Sequence, residues 1–239
     1  MSEQPEPSFR DALSAAARKS SLGKVPPGET PTAGALLSAM GGVRGLVESI
    51  LPGLGFLVVF TVTKDLLPSV LAPLAVSVVF IVLRLVMRQP VTTAIAGALG
   101  VGISAGLALI TNDANNNFVP GFFINGGVVL VMVVSLLVRR PFVGLIVSLL
   151  LGDEDWRKNA AKVRVATIAT ILWTALSALR LAVQLPLYLA GVAGTAGATE
   201  ALAATKLVMG VPLYAALLWV TWLLVRTAWR AKEEPADGV

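Results

Sequence analysis

Between Val165 and Tyr188 the side chains of Thr167, Thr170, Thr174, Ser177, Arg180, Gln184 and Tyr188 recur at spacings of three and four. That rhythm puts them on one face of a helix, so a polar stripe carrying one guanidinium runs along a segment otherwise apolar enough to cross a bilayer. A guanidinium recognises carboxylate and phosphate groups bidentately, and a charge inside a membrane is costly unless it faces protein, water or a ligand. With Val165 at the inner face, Arg180 lies about 22 Å up the helix, roughly 8 Å below the outer boundary of a ~30 Å hydrocarbon core. Asn125 and Tyr214 sit on two other apolar segments, about 10 Å below their outer ends. The matching depths predict an outward-facing pocket of Asn125, Arg180, Gln184 and Tyr214, with Asp113 or Glu200 as counter-ion. Two readings of Arg180 stand side by side. It receives an anionic ligand, or it ties helices together and snorkels to the outer headgroups.

Other chemistries lack their residues. The chain has no Cys and no His, which removes thiolate sites, disulfides and the commonest metal ligand and proton shuttle. No metal site and no cofactor is expected. Ser104 and Ser177 have no base beside them in sequence, so nucleophilic catalysis is not expected and the chain reads as a non-enzyme. No Asp or Glu falls near the middle of an apolar segment, which disfavours a carboxylate proton relay.

The elements that must position the stripe follow from composition. Of 239 residues, 56% are hydrophobic and 14% charged, with a mean hydropathy of +0.80, well beyond the soluble average. The apolar runs are continuous rather than alternating, so the expected fold is an all-α membrane protein. Six transmembrane helices are predicted, at about Leu46–Thr63, Leu66–Val86, Val91–Ile110, Phe118–Val138, Val165–Tyr188 and Leu207–Val225. The ten residues Phe142–Leu151 make about 15 Å of helix, half the core, and are expected to re-enter or lie flat at the interface. Thr111–Asn117 reads as a polar loop and Ala190–Thr205 as a small-residue loop, with Trp156 expected as an interfacial anchor and Arg84 and Arg88 expected to snorkel to the headgroups. Ala94, Ala98, Gly102 and Gly106 recur every four residues and mark the third span as a close-packing helix and a candidate homodimer face. Residues 1–33 read as a disordered cytoplasmic tail, 34–230 as the six-helix transmembrane domain and 231–239 as a C-terminal cytoplasmic tail.

Orientation follows from the cations. With six spans and both termini inside, sixteen of the nineteen Lys and Arg are cytoplasmic, Lys64 and Lys206 are outside, and Arg180 is left in the membrane. If Phe142–Leu151 crossed instead, the division would be ten against eight. The net charge of +5 therefore reflects topology in the cytoplasmic membrane rather than nucleic-acid binding. Arg88, Arg139, Arg140 and Arg157 are the expected contacts to anionic lipids of the cytoplasmic face.

Several runs carry a family resemblance: Gly41-Gly42-Val43-Arg44-Gly45-Leu46, Leu51-Pro52-Gly53, Phe118-Val119-Pro120-Gly121, Arg139-Arg140-Pro141, Trp156-Arg157, Arg180 to Tyr188, and Gly210-Val211-Pro212-Leu213-Tyr214. Over about Leu36 to Arg230 the chain resembles the actinobacterial domain-of-unknown-function family 3159. The Phe-x-Pro-Gly entry and span order are more distantly similar to intracellular septation protein A, a multi-pass inner-membrane family associated with envelope integrity and division. The resemblance implies a non-enzymatic envelope or division-associated factor that binds membrane protein partners or lipids. The competing expectation, from the Arg180 pocket, is a small transporter or channel for an anionic or polar solute. A topology reporter fused at Arg164 is expected to behave as cytoplasmic; an extracytoplasmic signal would overturn the six-span arrangement.

Overall fold

The computed structural model of the chain describes residues 42–89 and 91–229. The expected tails at 1–33 and 231–239, and Pro90, lie outside the described residues. Among the described residues eight α-helices follow one another: α1 Gly42–Thr63, α2 Leu66–Val86, α3 Thr92–Thr111, α4 Val119–Leu137, α5 Phe142–Leu151, α6 Ala160–Val192, α7 Ala198–Val208 and α8 Val211–Trp229. Short 3₁₀ turns at Ala114–Phe118 and Trp156–Lys158 precede α4 and α6, and no strand occurs among the described residues.

Among the described residues five stretches are long and apolar enough to cross a membrane: Leu66–Val86, Ala94–Thr111, Ala114–Leu137, Ala160–Val192 and Ala198–Trp229. Two shorter apolar helices, Val47–Thr63 and Phe142–Leu151, accompany them. The chain is thus a multi-pass helical protein, and the first expected span is present as the shorter apolar part of α1. Helices are required because apolar runs offer their own backbone no other partner in hydrocarbon. Hydroxyls within them are satisfied the same way. Thr61, Thr63, Ser77, Thr167, Thr170, Thr174 and Thr221 each donate to the carbonyl four residues back, at 2.7–2.8 Å. Helix ends carry recognisable stops. The Asp65 carboxylate accepts from the Leu67 amide at 3.1 Å to start α2, and Asn112 (φ 50°) and Gly152 (φ 67°) close α3 and α5 in the left-handed conformation.

Two compact units arise from these helices, with α4, α6 and α8 contributing to both. One unit comprises Val43–Leu130 and Ala175–Ala215. Its core is Phe56, Val70, Ala105, Ala108, Ala114, Phe118, Leu202 and Ala203, with Phe118 edge-on to Phe56 at 5.4 Å between ring centroids. The expected polar loop before α4 is instead a plug. Asn115 and Asn117 are buried, Thr199 donates to Asn115 Oδ1 at 2.8 Å, and the Tyr188 phenol donates to Asn116 Oδ1 at 2.7 Å. Gly191 is needed there, because a Cβ would stand 2.3 Å from Asn115 Oδ1. Part of the expected small-residue loop from Ala190 to Thr205 is likewise structured, forming α7 with Leu202 fully buried.

The other unit has its described residues in 131–174 and 216–229. Trp156, expected as an interfacial anchor, is 3% exposed. It lies in the space that a side chain on Gly144 would fill: a Cβ there would meet the indole at 2.5 Å and Ala166 Cβ at 2.7 Å. The start of α5 is pinned, with the Val143 amide donating to Thr170 Oγ1 at 3.2 Å and the Phe142 amide to Ser135 Oγ at 3.1 Å. Lys162, 6% exposed, pairs with Asp153, and its ammonium lies 5.4 Å from the Trp229 ring.

Helix α3 packs against α2 and the turn before α4, but not through the glycines of the expected stripe. It packs through Ala105 and Ala108, while a Cβ at Gly97, Gly100, Gly102 or Gly106 would meet nothing within 4 Å. Gly102 and Gly106 thus leave an open face among the described residues. Gly144→Ala is expected to lower stability by about 1–3 kcal/mol through overpacking, read as a fall in the melting midpoint of the purified protein. Gly102→Ala, which opens onto free space, should leave that midpoint unchanged or slightly higher.

Candidate anion-binding site

Helix α6 presents Ser177, Arg180 and Gln184 on one face at spacings of three and four, and all three are buried, with 1%, 7% and 4% exposure. Helix α4 brings Asn125 and the first turn of α8 brings Tyr214. The Arg180 guanidinium carbon lies 4.8 Å from the Tyr214 ring centroid. The Tyr214 phenol donates to Asn125 Oδ1 at 3.3 Å, and Asn125 Nδ2 donates to the Gly121 carbonyl at 2.7 Å. Three helices therefore converge on one aromatic ring, whose face supports the cation and whose hydroxyl is held by an amide oriented through its own backbone. Asn125, Arg180 and Tyr214, chosen from matched depths, are in fact neighbours. Gln184 is buried one turn beyond Arg180 on the same helix.

What these residues leave unsatisfied is informative. Ser177 Oγ, Arg180 Nε and Gln184 Nε2 are buried without a hydrogen-bond partner. On the same helix Thr167, Thr170 and Thr174 each satisfy their hydroxyls by donating four residues back. Unpartnered buried donors are rare because each forfeits its hydration, at roughly 1–3 kcal/mol and more for a charged group.

The expected counter-ions are engaged elsewhere. Asp113 accepts from the Asn115 amide and from Asn115 Nδ2 at 2.8 and 2.9 Å, capping the 3₁₀ turn before α4, and Glu200 pairs with Lys64. Local closure of a turn two residues away outcompetes a distant ion pair for the Asp113 carboxylate. Among the described residues no carboxylate pairs with Arg180. At 7% exposure, the Arg180 side chain is enclosed by protein rather than extended along the surface of the chain.

Lys206 is a cation that sequence reasoning left in an outer loop. On α7 its ammonium lies 4.8 Å from the Phe118 ring centroid. The available signal was the helix pattern of Gly197 before, Glu200 in the first turn and Lys206 in the last.

The basic residues assigned to the cytoplasmic face, Arg88, Arg139, Arg140 and Arg157, are all exposed. Arg88 and Arg139 close α2 and α4 in the same left-handed conformation, φ 53° and 55°. The next amides, of Gln89 and Arg140, bond back to Arg84 and Ser135 carbonyls at 2.9 and 2.8 Å. Arg84, expected to snorkel, instead pairs with Glu48, whose carboxylate also holds Arg44 at 2.8 Å.

A family model described as a protein of unknown function (DUF3159) matches residues 40–232. The chain belongs to this family. No curated protein and no solved structure matches it, so the likeness to intracellular septation protein A finds no support there. The Arg180 region, with Asn125, Gln184 and Tyr214, lies wholly within the DUF3159 match.

A desolvated cation–π contact is worth about 2 kcal/mol or more, whereas an unpaired buried ion carries an effective penalty of several kcal/mol. The penalty wins, so Arg180→Met, which keeps much of the volume, is expected to raise the melting midpoint of the purified protein. A lowered midpoint would instead identify Arg180 as a structural tie.

Proposed function

We propose that this chain is a six-span cytoplasmic-membrane protein with both termini inside, which works by binding rather than catalysis and receives an anionic group at Arg180. One observation carries the reading: an arginine that is 7% exposed, with Nε buried and unpartnered and no carboxylate pairing with it among the described residues. A side chain kept in that state stabilises little by itself, and ionic groups with unmet donors concentrate where a ligand completes them. In this reading the chain serves as an envelope or division-associated factor. Its partners are the bilayer, anionic lipids of the inner face at Arg88, Arg139, Arg140 and Arg157, and a second copy through the open row at Gly102 and Gly106.

Thermal melting of the purified protein against acetate, dicarboxylates, phosphate compounds and anionic lipids tests the reading. At least one anion should raise the midpoint of the wild type and leave Arg180→Gln unmoved. If no anion distinguishes the two proteins, the binding reading is wrong. Uptake of a bound solute into liposomes carrying the protein would replace the envelope factor by a transporter.

A further inference from the structure

With Arg180 taken as an anion site, the donor beside it on the same helix narrows the anion. We infer that Arg180 and Gln184 together form a site for one carboxylate group, the guanidinium supplying the charge and Gln184 Nε2 a further donor. The two residues are four apart on α6, so their side chains stand one above the other on a single face, with about 5–6 Å between Cβ atoms. Arg180 is 7% exposed and Gln184 4%, and Arg180 Nε and Gln184 Nε2 are both buried without a partner. Side chains at this spacing can bond directly, with the Gln184 amide oxygen accepting from Arg180 Nε, yet that bond is not made. Two neighbouring buried donors therefore lack the same thing, an acceptor that the described residues do not supply.

The Tyr214 ring lies 4.8 Å from the guanidinium carbon and accepts no hydrogen from Arg180 Nε, while its hydroxyl is engaged with Asn125 at 3.3 Å. The ring supports the cation and leaves that donor for a ligand. The anion has to answer one positive charge with acceptors for both the guanidinium and the amide. A neutral carbonyl would accept a bond and leave the charge. A phosphate monoester, at about −1.5 to −2 at neutral pH, would exceed it. A carboxylate carries one negative charge, and its two oxygens offer about four lone-pair sites. Guanidinium and carboxylate match as planar forks, two parallel N–H donors against two oxygens, and lone pairs remain for Gln184 Nε2. A phosphodiester also carries one charge, but its oxygens belong to a tetrahedral group that lacks the planar match.

Such a carboxylate can belong to a soluble acid or to a fatty acid in the bilayer. The test uses the full chain in nanodiscs of neutral lipid, titrated with acetate or dimethyl phosphate, and in nanodiscs containing oleate or phosphatidylglycerol. Each pair sets a carboxylate against a phosphodiester of equal charge. Binding is read from the melting midpoint and by native mass spectrometry. At least one carboxylate is expected to bind about tenfold or more tighter than its comparator, a difference of about 1.4 kcal/mol. Preference for acetate assigns a soluble source, and preference for oleate a lipid one. Gln184→Met, which keeps the bulk and removes the donor, should weaken the preferred carboxylate about tenfold or more while leaving binding that depends on Arg180. Gln184→Glu sets a carboxylate one turn from Arg180 and should fill the site from within, raising the midpoint without ligand and abolishing the response to added carboxylate. No such preference in either pair, undiminished affinity in Gln184→Met, or a Gln184→Glu protein that responds like wild type overturns the inference and leaves the binding reading intact. If no anion binds wild type better than Arg180→Gln, both fail together.

Discussion

A guanidinium held inside a helical membrane protein without an opposite charge constrains what surrounds it. Arg180 is placed on the face of Tyr214, which lowers the cost of burial without neutralising the charge. Asn125 fixes that ring, and Asn125 is in turn oriented by the Gly121 carbonyl one turn away. Three helices thus cooperate to hold one cation in place, while its Nε remains free to bond something else.

The surrounding unit is held by polar contacts that a membrane makes demanding. The Asn-rich turn before α4 would be a poor occupant of an apolar core unless each amide found a partner. Asp113, Thr199 and Tyr188 supply them, and Gly191 leaves room for the Asn115 side chain. This plug engages the Asp113 carboxylate and the Tyr188 hydroxyl, so neither is available to Arg180. The same logic operates beside Glu48, which is shared by Arg44 and Arg84 and has little left to offer a further cation. Acidic residues are few and already committed where they are described, which leaves Arg180 without an opposite charge among them.

Much of the fold was legible because hydrocarbon thickness and backbone hydrogen bonding admit few alternatives. Uninterrupted apolar runs and their closing Pro, Gly and Arg residues place most helices within a few residues. The polar stripe on α6 was legible from spacing, and its Ser177, Arg180 and Gln184 are indeed buried. Errors arose where small or polar residues read as loops. Residues 114–118 and 198–208 formed compact turns and helix because tertiary partners satisfied side chains that look solvent-seeking in isolation. Trp156 misled in the opposite direction. An indole in a charged segment reads as an interface anchor, yet Gly144 opens a slot that buries it.

The sequence by itself determined the molecular class, the helical register of the polar stripe and the absence of thiol and imidazole chemistry, since these depend on composition and local periodicity. Only tertiary structure decided which charges meet. Counter-ion choice depends on distances between segments far apart in the chain, and spacing carries no record of them. Asp113 and Glu200 were equally plausible partners for Arg180 until one was seen capping a turn and the other pairing with Lys64. Lys206 was an outer-loop cation until α7 placed it over the Phe118 ring. The charge was visible in the chain, and its isolation from any opposite charge emerged only from the packing.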